Sequence, residues 1–70
     1  MPMDTEAFVS LRKEASVSQE ELATELGDGM DQRVISTVER TAPSVPDAWP
    51  RAVRSITAKR LERLAEAVGA

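Results

Sequence analysis

The clearest helix-start signal in the chain lies in its first third and is followed by a glycine that ends the helix. Ser18 is followed three residues later by Glu21, the spacing at which the two side chains cap each other's backbone N–H groups. Val17 and Leu22 flank this pair and predict a hydrophobic contact across the helix start. Gly27 ends the pattern, because glycine readily adopts the left-handed conformation that closes a helix. Seventy residues form one domain at most, and its core must be compact.

Apolar spacing predicts helices on both sides of this one. The first runs from about Thr5 to Ala15, with Asp4 as its N-cap. Another runs from about Asp31 to Arg40, and its first residue is the N-cap. Ile35 and Val38 lie three residues apart in that helix and predict its buried side.

A last helix is predicted from Ala58 to Val68, with Thr57 as its N-cap. One face of this helix carries apolar residues at helical spacing, which predicts a buried stripe: Leu61, Leu64, Ala65 and Val68. Ile56 precedes the cap and predicts a second contact across a helix start.

The segment 41–56 differs in character because prolines interrupt it. Its prolines predict a loop or a short turn of helix. In the helical version Asp47 is the N-cap of a helix through Arg54, and Pro50 is tolerated only because it lies in the first turn. Trp49 either covers the core or, if exposed, contacts a partner. The chain shows no strand signal.

Composition excludes several kinds of chemistry. The chain has neither cysteine nor histidine, which removes disulfides, thiolate metal sites, the usual general base and the commonest metal ligand. It also lacks a glycine-rich phosphate loop and a pair of acids placed to face each other across a cleft. We therefore expect a protein that is not an enzyme and that needs no cofactor and no metal. No apolar run approaches the roughly 20 residues of a membrane span, and no basic secretion signal is present, so we expect no membrane and a cytoplasmic location.

The charge is unevenly distributed along the chain. A net charge of -3 disfavours nucleic acid, because phosphate binding favours basic surfaces. Residues 1–31 hold eight acids against two bases, whereas residues 32–70 hold seven bases against four acids. The second part is therefore net +3, and one basic face is enough to contact a duplex.

Residues 8–40 resemble the lambda-repressor/Cro (Xre-type) family of helix-turn-helix proteins, and residues 61–69 are similar to that family's fourth helix. The matching residues are Phe8, Leu11 and Arg12, the run Ser18-Gln19-Glu20-Glu21-Leu22-Ala23, the pairs Leu26-Gly27 and Ile35-Ser36, and the run Val38-Glu39-Arg40. The resemblance implies an all-α fold, a compact bundle of four to five short helices. It implies one domain over residues 1–70, with the helix-turn-helix at about 18–40, a variable proline-rich insertion at 41–56 and a C-terminal helix at 57–68.

The function implied by the resemblance is sequence-specific DNA binding by a transcriptional regulator. The helix from Asp31 to Arg40 would enter the major groove of double-stranded DNA, and a homodimer would bind a palindromic site. Arginine and glutamine side chains near a helix start are suited to guanine and adenine edges. The base-reading positions implied are Gln32, Arg33, Ser36 and Thr37.

Phosphate contacts and one internal ion pair complete the expected site. The resemblance places Gln19 and Arg40 on phosphates, and the charge of Arg51 and Arg54 makes them further candidates. Arg12 and Glu39 occupy positions that form an inward ion pair in relatives, a structural role.

The negative net charge and an altered turn favour a rival hypothesis. The turn between Gly27 and Ile35 is longer than the family's usual turn, and segment 41–56 is an insertion. Relatives usually continue beyond the fourth helix into a fifth, which often supports dimerisation. The rival is a protein-interaction module on the same fold, in which the acidic surface and segment 41–56 bind another protein. Such a module would be antitoxin-like, an anti-repressor or a polymerase-associated partner, with little or no DNA binding.

Overall fold

The computed structural model describes residues 2–69, which form four α-helices and two very short strands. The elements are β1 Met3–Asp4, α1 Thr5–Glu14, α2 Gln19–Leu26, α3 Gln32–Thr41, β2 Ser44–Val45 and α4 Ala48–Gly69. The predicted all-α class is confirmed, since helices make up most of the described chain.

The first two helix starts follow the capping chemistry of the sequence. The Asp4 side chain accepts a hydrogen bond from the Ala7 N–H at 3.4 Å. At α2 the Ser18 hydroxyl accepts from the Glu21 N–H at 3.0 Å, and the Glu21 carboxylate accepts from the Ser18 N–H at 3.2 Å. This reciprocal pair satisfies two backbone donors that a helix start leaves open.

The turn between α2 and α3 reverses the chain through residues with positive φ. Gly27, Asp28 and Gly29 have φ values of 69°, 33° and 73°, so three left-handed residues in succession reverse the chain. Met30 then packs partly buried against the core. Asp31 accepts from the Val34 N–H at 3.0 Å and is the N-cap of α3.

The proline-rich segment forms a strand pairing that the sequence analysis missed. Met3 pairs antiparallel with Val45, and Asp4 with Ser44. The expectation of no strand was therefore wrong. The signal lay in the prolines, because a residue that precedes proline is sterically pushed toward extended backbone, as Val45 is by the next residue.

The boundary predicted for the last helix was also wrong. α4 begins at Ala48, not Ala58, and runs without a break for 22 residues to Gly69. The Thr57 hydroxyl donates to the Val53 carbonyl at 3.0 Å, a contact of a helix interior, so Thr57 is not an N-cap. Pro50 lies in the first turn, where the missing N–H costs nothing. No helix within residues 2–69 has the length and apolarity needed to cross a bilayer.

The core is built around one aromatic contact. The rings of Phe8 in α1 and Trp49 in α4 meet edge to face with centroids 5.7 Å apart. Trp49 is only 4% exposed, so it covers the core as one of the two predicted alternatives had it. The remaining buried hydrophobic residues are Val17, Leu22, Ala23, Ile35, Val45, Ala52, Val53 and Ile56.

The stripe predicted to be buried in the last helix is instead exposed. Leu61 and Leu64 are each 62% exposed and Val68 is 85% exposed. The part of α4 that packs on the core is its first half, within the segment taken for an insertion. The described chain is elongated, with extents of 45 × 23 × 18 Å, because the second half of α4 projects from the bundle.

Candidate nucleic-acid interface

The four residues expected to read bases share α3, and the helix presents most of them to solvent. Gln32, Arg33 and Thr37 are exposed, and Ser36 is half-buried. On the opposite side Ile35 is completely buried. The helix is therefore anchored along one side, with the polar side chains on the side away from the core.

A buried charge network fixes α3 to α1. The Arg12 guanidinium donates to both carboxylate oxygens of Glu39, at 2.7 and 2.9 Å. Its remaining terminal nitrogen donates to the Val17 carbonyl at 3.0 Å, in the loop before α2. The side chains of Arg12 and Glu39 are only 10% and 7% exposed. The ion pair thus has the inward, structural placement expected from the sequence.

Gln19 belongs to this network as well. Its side-chain amide donates to Glu39 at 3.0 Å, and the residue is half-buried at the start of α2. The expected role of Gln19 was a phosphate contact. A glutamine side-chain amide carries two N–H donors, so the hydrogen bond to Glu39 uses only one of them. Glu39 therefore orients Gln19 and Arg12 at once, which links the start of α2 and the last turn of α3 to α1.

The candidate phosphate-binding arginines are not gathered at one place. Arg40 lies near the end of α3 and donates to the Ser36 carbonyl of the same helix at 3.4 Å. Arg51 lines a groove with Glu25 and Leu26 of α2, whereas Arg54 lines a different groove with the end of α1. Among the described residues α3 lines neither groove, so only Arg40 shares the helix of the base-reading residues.

Acidic side chains lie close to the exposed end of α3. Asp28 and Asp31 are exposed in the turn that leads into this helix. Asp31 is committed to its cap and is favourably placed at the partly positive helix start. Both carboxylates nevertheless repel phosphate, so electrostatic attraction at this end of α3 depends on Arg33.

A second charged cluster, joining α2 to α4, was not predicted from the sequence. Lys59 donates to both carboxylate oxygens of Glu25 at 2.8 and 3.1 Å, and Ser55 donates to Glu25 at 3.3 Å. Arg60 donates to Glu21 and, at 2.9 Å, to the Ala15 carbonyl. These partners are between 30 and 45 residues apart in the chain, so no local spacing indicates them.

The same cluster lowers the pKa values of two carboxyl groups, those of Glu21 and Glu25. A hydrogen bond from the Ser18 N–H, with a smaller effect of Arg60, holds the pKa of Glu21 below its ordinary value of 4.5. The hydrogen bond from Lys59 lowers the pKa of Glu25 in the same direction. Glu21 is exposed and Glu25 is half-buried, so these contacts join α4 to α2 without fully burying charge.

The arrangement provides a rigid helix with forked and amide side chains on its outer side, chemistry suited to hydrogen bonding with base edges. No family model, curated protein or solved structure matches this chain.

Proposed function

We propose that this protein is a sequence-specific DNA-binding transcriptional regulator in which α2, the turn and α3 act as a helix-turn-helix. In this proposal α3 enters the major groove of double-stranded DNA and α2 lies across the backbone. The observation that carries it is the orientation of α3. Ile35 anchors one side in the core while Gln32, Arg33 and Thr37 are exposed on the other.

The chemistry of the exposed side chains suits discrimination between bases. An arginine can donate two hydrogen bonds to guanine, and a glutamine can both donate to and accept from adenine. Gln32 and Arg33 are the first two residues of α3, the end that a recognition helix directs at base edges. Each such paired contact contributes about 1–3 kcal/mol of discrimination against the wrong base.

The longer turn is compatible with this proposal. Asp31 caps α3 directly before Gln32, so the two candidate base-reading residues keep their place in the first turn of the helix. Asp28 and Gly29 of this turn are exposed. Length added there lengthens the connection and leaves the exposed side of α3 uncovered.

Selection from random duplexes over a series of salt concentrations tests the proposal. Arg33→Ala should relax the sequence preference at one base pair. Arg40→Ala should weaken binding to all sequences alike, and should reduce the slope of log affinity against log salt concentration by about 0.9. Arg63→Ala is the matched control, since Arg63 is an exposed arginine on the far half of α4. Absence of enrichment even at low salt, with all three variants equal to the parent, would contradict DNA binding.

A second candidate is a protein-interaction module, and the net charge of -3 favours it. The expected docking element for that role was segment 41–56. Three residues of this segment are buried and cannot contact a partner: Val45, Trp49 and Pro50. A partner on this module would therefore contact the acidic surface of α1 and α2, where Glu6, Glu14 and Glu20 are exposed.

A further inference from the structure

We infer that Val34 contacts the C5-methyl group of a thymine in the major groove, and that it is a further specificity-determining residue of α3. The inference rests on the proposed DNA-binding function, because it assigns another residue to the same helix. Apart from the second half of α4, Val34 is the large apolar side chain that the described residues leave exposed, at 40%. The resemblance implies only polar residues at the base-reading positions, so Val34 is an addition to them.

Val34 lies on the flank of α3 opposite Gln32. At 3.6 residues per turn, Val34 is about 100° around the helix from the buried Ile35, and Gln32 is about 60° from it on the other side. Arg33 and Thr37 lie between these flanks, each about 160° from Ile35. The outer side of α3 is therefore polar in the middle and on one flank, and apolar on the other flank.

Local structure restricts the orientation of Val34. The Asp31 carboxylate accepts a hydrogen bond from the Val34 N–H at 3.0 Å, which fixes the first turn of α3. A valine side chain strongly prefers one χ1 rotamer in a helix. Val38, four residues later on the same side of the helix, packs partly buried against the core. Val34 therefore has little rotamer freedom to lose when a base contacts it.

Thymine is the base whose major-groove edge suits such a contact. It presents a C5-methyl group there, whereas guanine, adenine and cytosine present hydrogen-bond donors and acceptors. Placing a valine against one of those polar groups removes water without supplying a hydrogen bond, which is unfavourable. Placing it against the methyl group buries apolar surface on both partners. Val34 should therefore select thymine over the other bases.

The selected thymine should lie close to the base pair that Arg33 reads. Consecutive Cα atoms are about 3.8 Å apart and stacked base pairs about 3.4 Å apart, so the two side chains should reach base pairs within about two steps of each other. The contact is uncharged and releases no counterions, so its contribution should not fall as the salt concentration rises. It adds specificity to a chain whose net charge of -3 disfavours phosphate.

Replacing single thymines by deoxyuridine in a duplex recovered by selection tests the contact, because the replacement removes the methyl group and keeps the base pair. The parent should bind about fourfold less tightly when one particular thymine is replaced, the effect of withdrawing one methyl group from an apolar contact. This ratio should be the same across a series of salt concentrations. Val34→Ser should abolish the difference between the two duplexes, whereas Val34→Ile should retain it.

Leu64→Ser is the matched control, since Leu64 is an exposed apolar residue of α4, and it should keep the parent's preference for thymine. Circular dichroism of Val34→Ser should show unchanged helix content, which separates loss of the contact from loss of the fold. A selected duplex that binds equally well whichever thymine is replaced, or a thymine preference that survives Val34→Ser, would overturn the inference and leave DNA binding by α3 in place. A parent chain that enriches no duplex would overturn the proposed function and the inference together.

Discussion

The two halves of α4 are one continuous helix with opposite relations to the rest of the molecule. The first half carries Trp49, Val53 and Ile56, which are at most 8% exposed. The second half has the more regular apolar spacing, yet Leu64 is 62% exposed and Val68 is 85% exposed. Regular spacing therefore identifies a helix and one apolar side of it, but does not identify what covers that side.

The two halves of α4 should differ most in how much stability is lost when a large apolar side chain is removed. Trp49→Ala should lower the free energy of unfolding by about 3–5 kcal/mol, because it leaves a cavity beside Phe8. Leu64→Ala should change it by no more than about 0.5 kcal/mol at a concentration where the protein is monomeric. Chemical denaturation of both variants at one low concentration makes the comparison. Equal losses would mean that Leu64 is part of the monomer core.

Removing a buried charge should likewise cost more stability than removing an exposed one. Arg12→Ala or Glu39→Ala should each cost about 3–5 kcal/mol of unfolding free energy, because each leaves a buried charge without its partner. The double substitution should cost less than the two losses combined. Arg63→Ala, in the exposed half of α4, should stay within about 0.5 kcal/mol. Strictly additive losses in the double-mutant cycle for Arg12 and Glu39 would contradict coupling through the pair.

Ser18 and Thr57 both have the sequence signature of an N-cap, but their substitution should have different effects on the free energy of unfolding. The expected effects are smaller than those for the buried charges. Ser18→Ala should cost about 1 kcal/mol of unfolding free energy, because it removes a cap that is made. Thr57→Ala should stay within about 0.5 kcal/mol, because alanine suits a helix interior at least as well as threonine. Thermal unfolding of the two variants measures both. A loss at Thr57 as large as that at Ser18 would indicate a helix start at that position.

The smallest expected effect concerns the charged cluster where the two halves of α4 meet. The lowered pKa values of Glu21 and Glu25 mean that their contribution to stability is present above about pH 4.5 and is lost as the pH falls through the lowered values. NMR titration of the side-chain carboxyl carbons should give a midpoint below 4.5 for Glu25. Lys59→Gln should raise that midpoint, whereas Lys13→Gln should leave it unchanged. An unchanged midpoint in Lys59→Gln would show that the contact is not held in solution.

Local chemistry allowed three helix starts to be predicted, but not the fourth. Asp4, Ser18 and Asp31 cap helices in the structure as the sequence indicates. Thr57 has the same local signature, but its hydroxyl donates to the carbonyl four residues earlier. A threonine can do either, so its local sequence does not decide between them. In the structure Trp49 is buried in the first turn of the same continuous helix, which places Thr57 in the helix interior.

The rest of the fold and site depends on contacts between distant parts of the chain. The pairing of Met3 with Val45 and that of Glu25 with Lys59 join residues with no shared local pattern. For α3 the outer side followed from the spacing of Ile35 and Val38. The engagement of Gln19 with Glu39 did not, because it requires the crossing of two helices.

NMR titration of ¹⁵N-labelled protein with a duplex recovered by selection tests the proposed role of α3 most directly. The amide signals of Gln32 through Thr37 should shift on binding, while those of the core-facing half of α4 stay in place. Shifts that leave α3 unchanged and fall on α1 or on the second half of α4 would contradict the assignment of α3 as the helix that reads DNA.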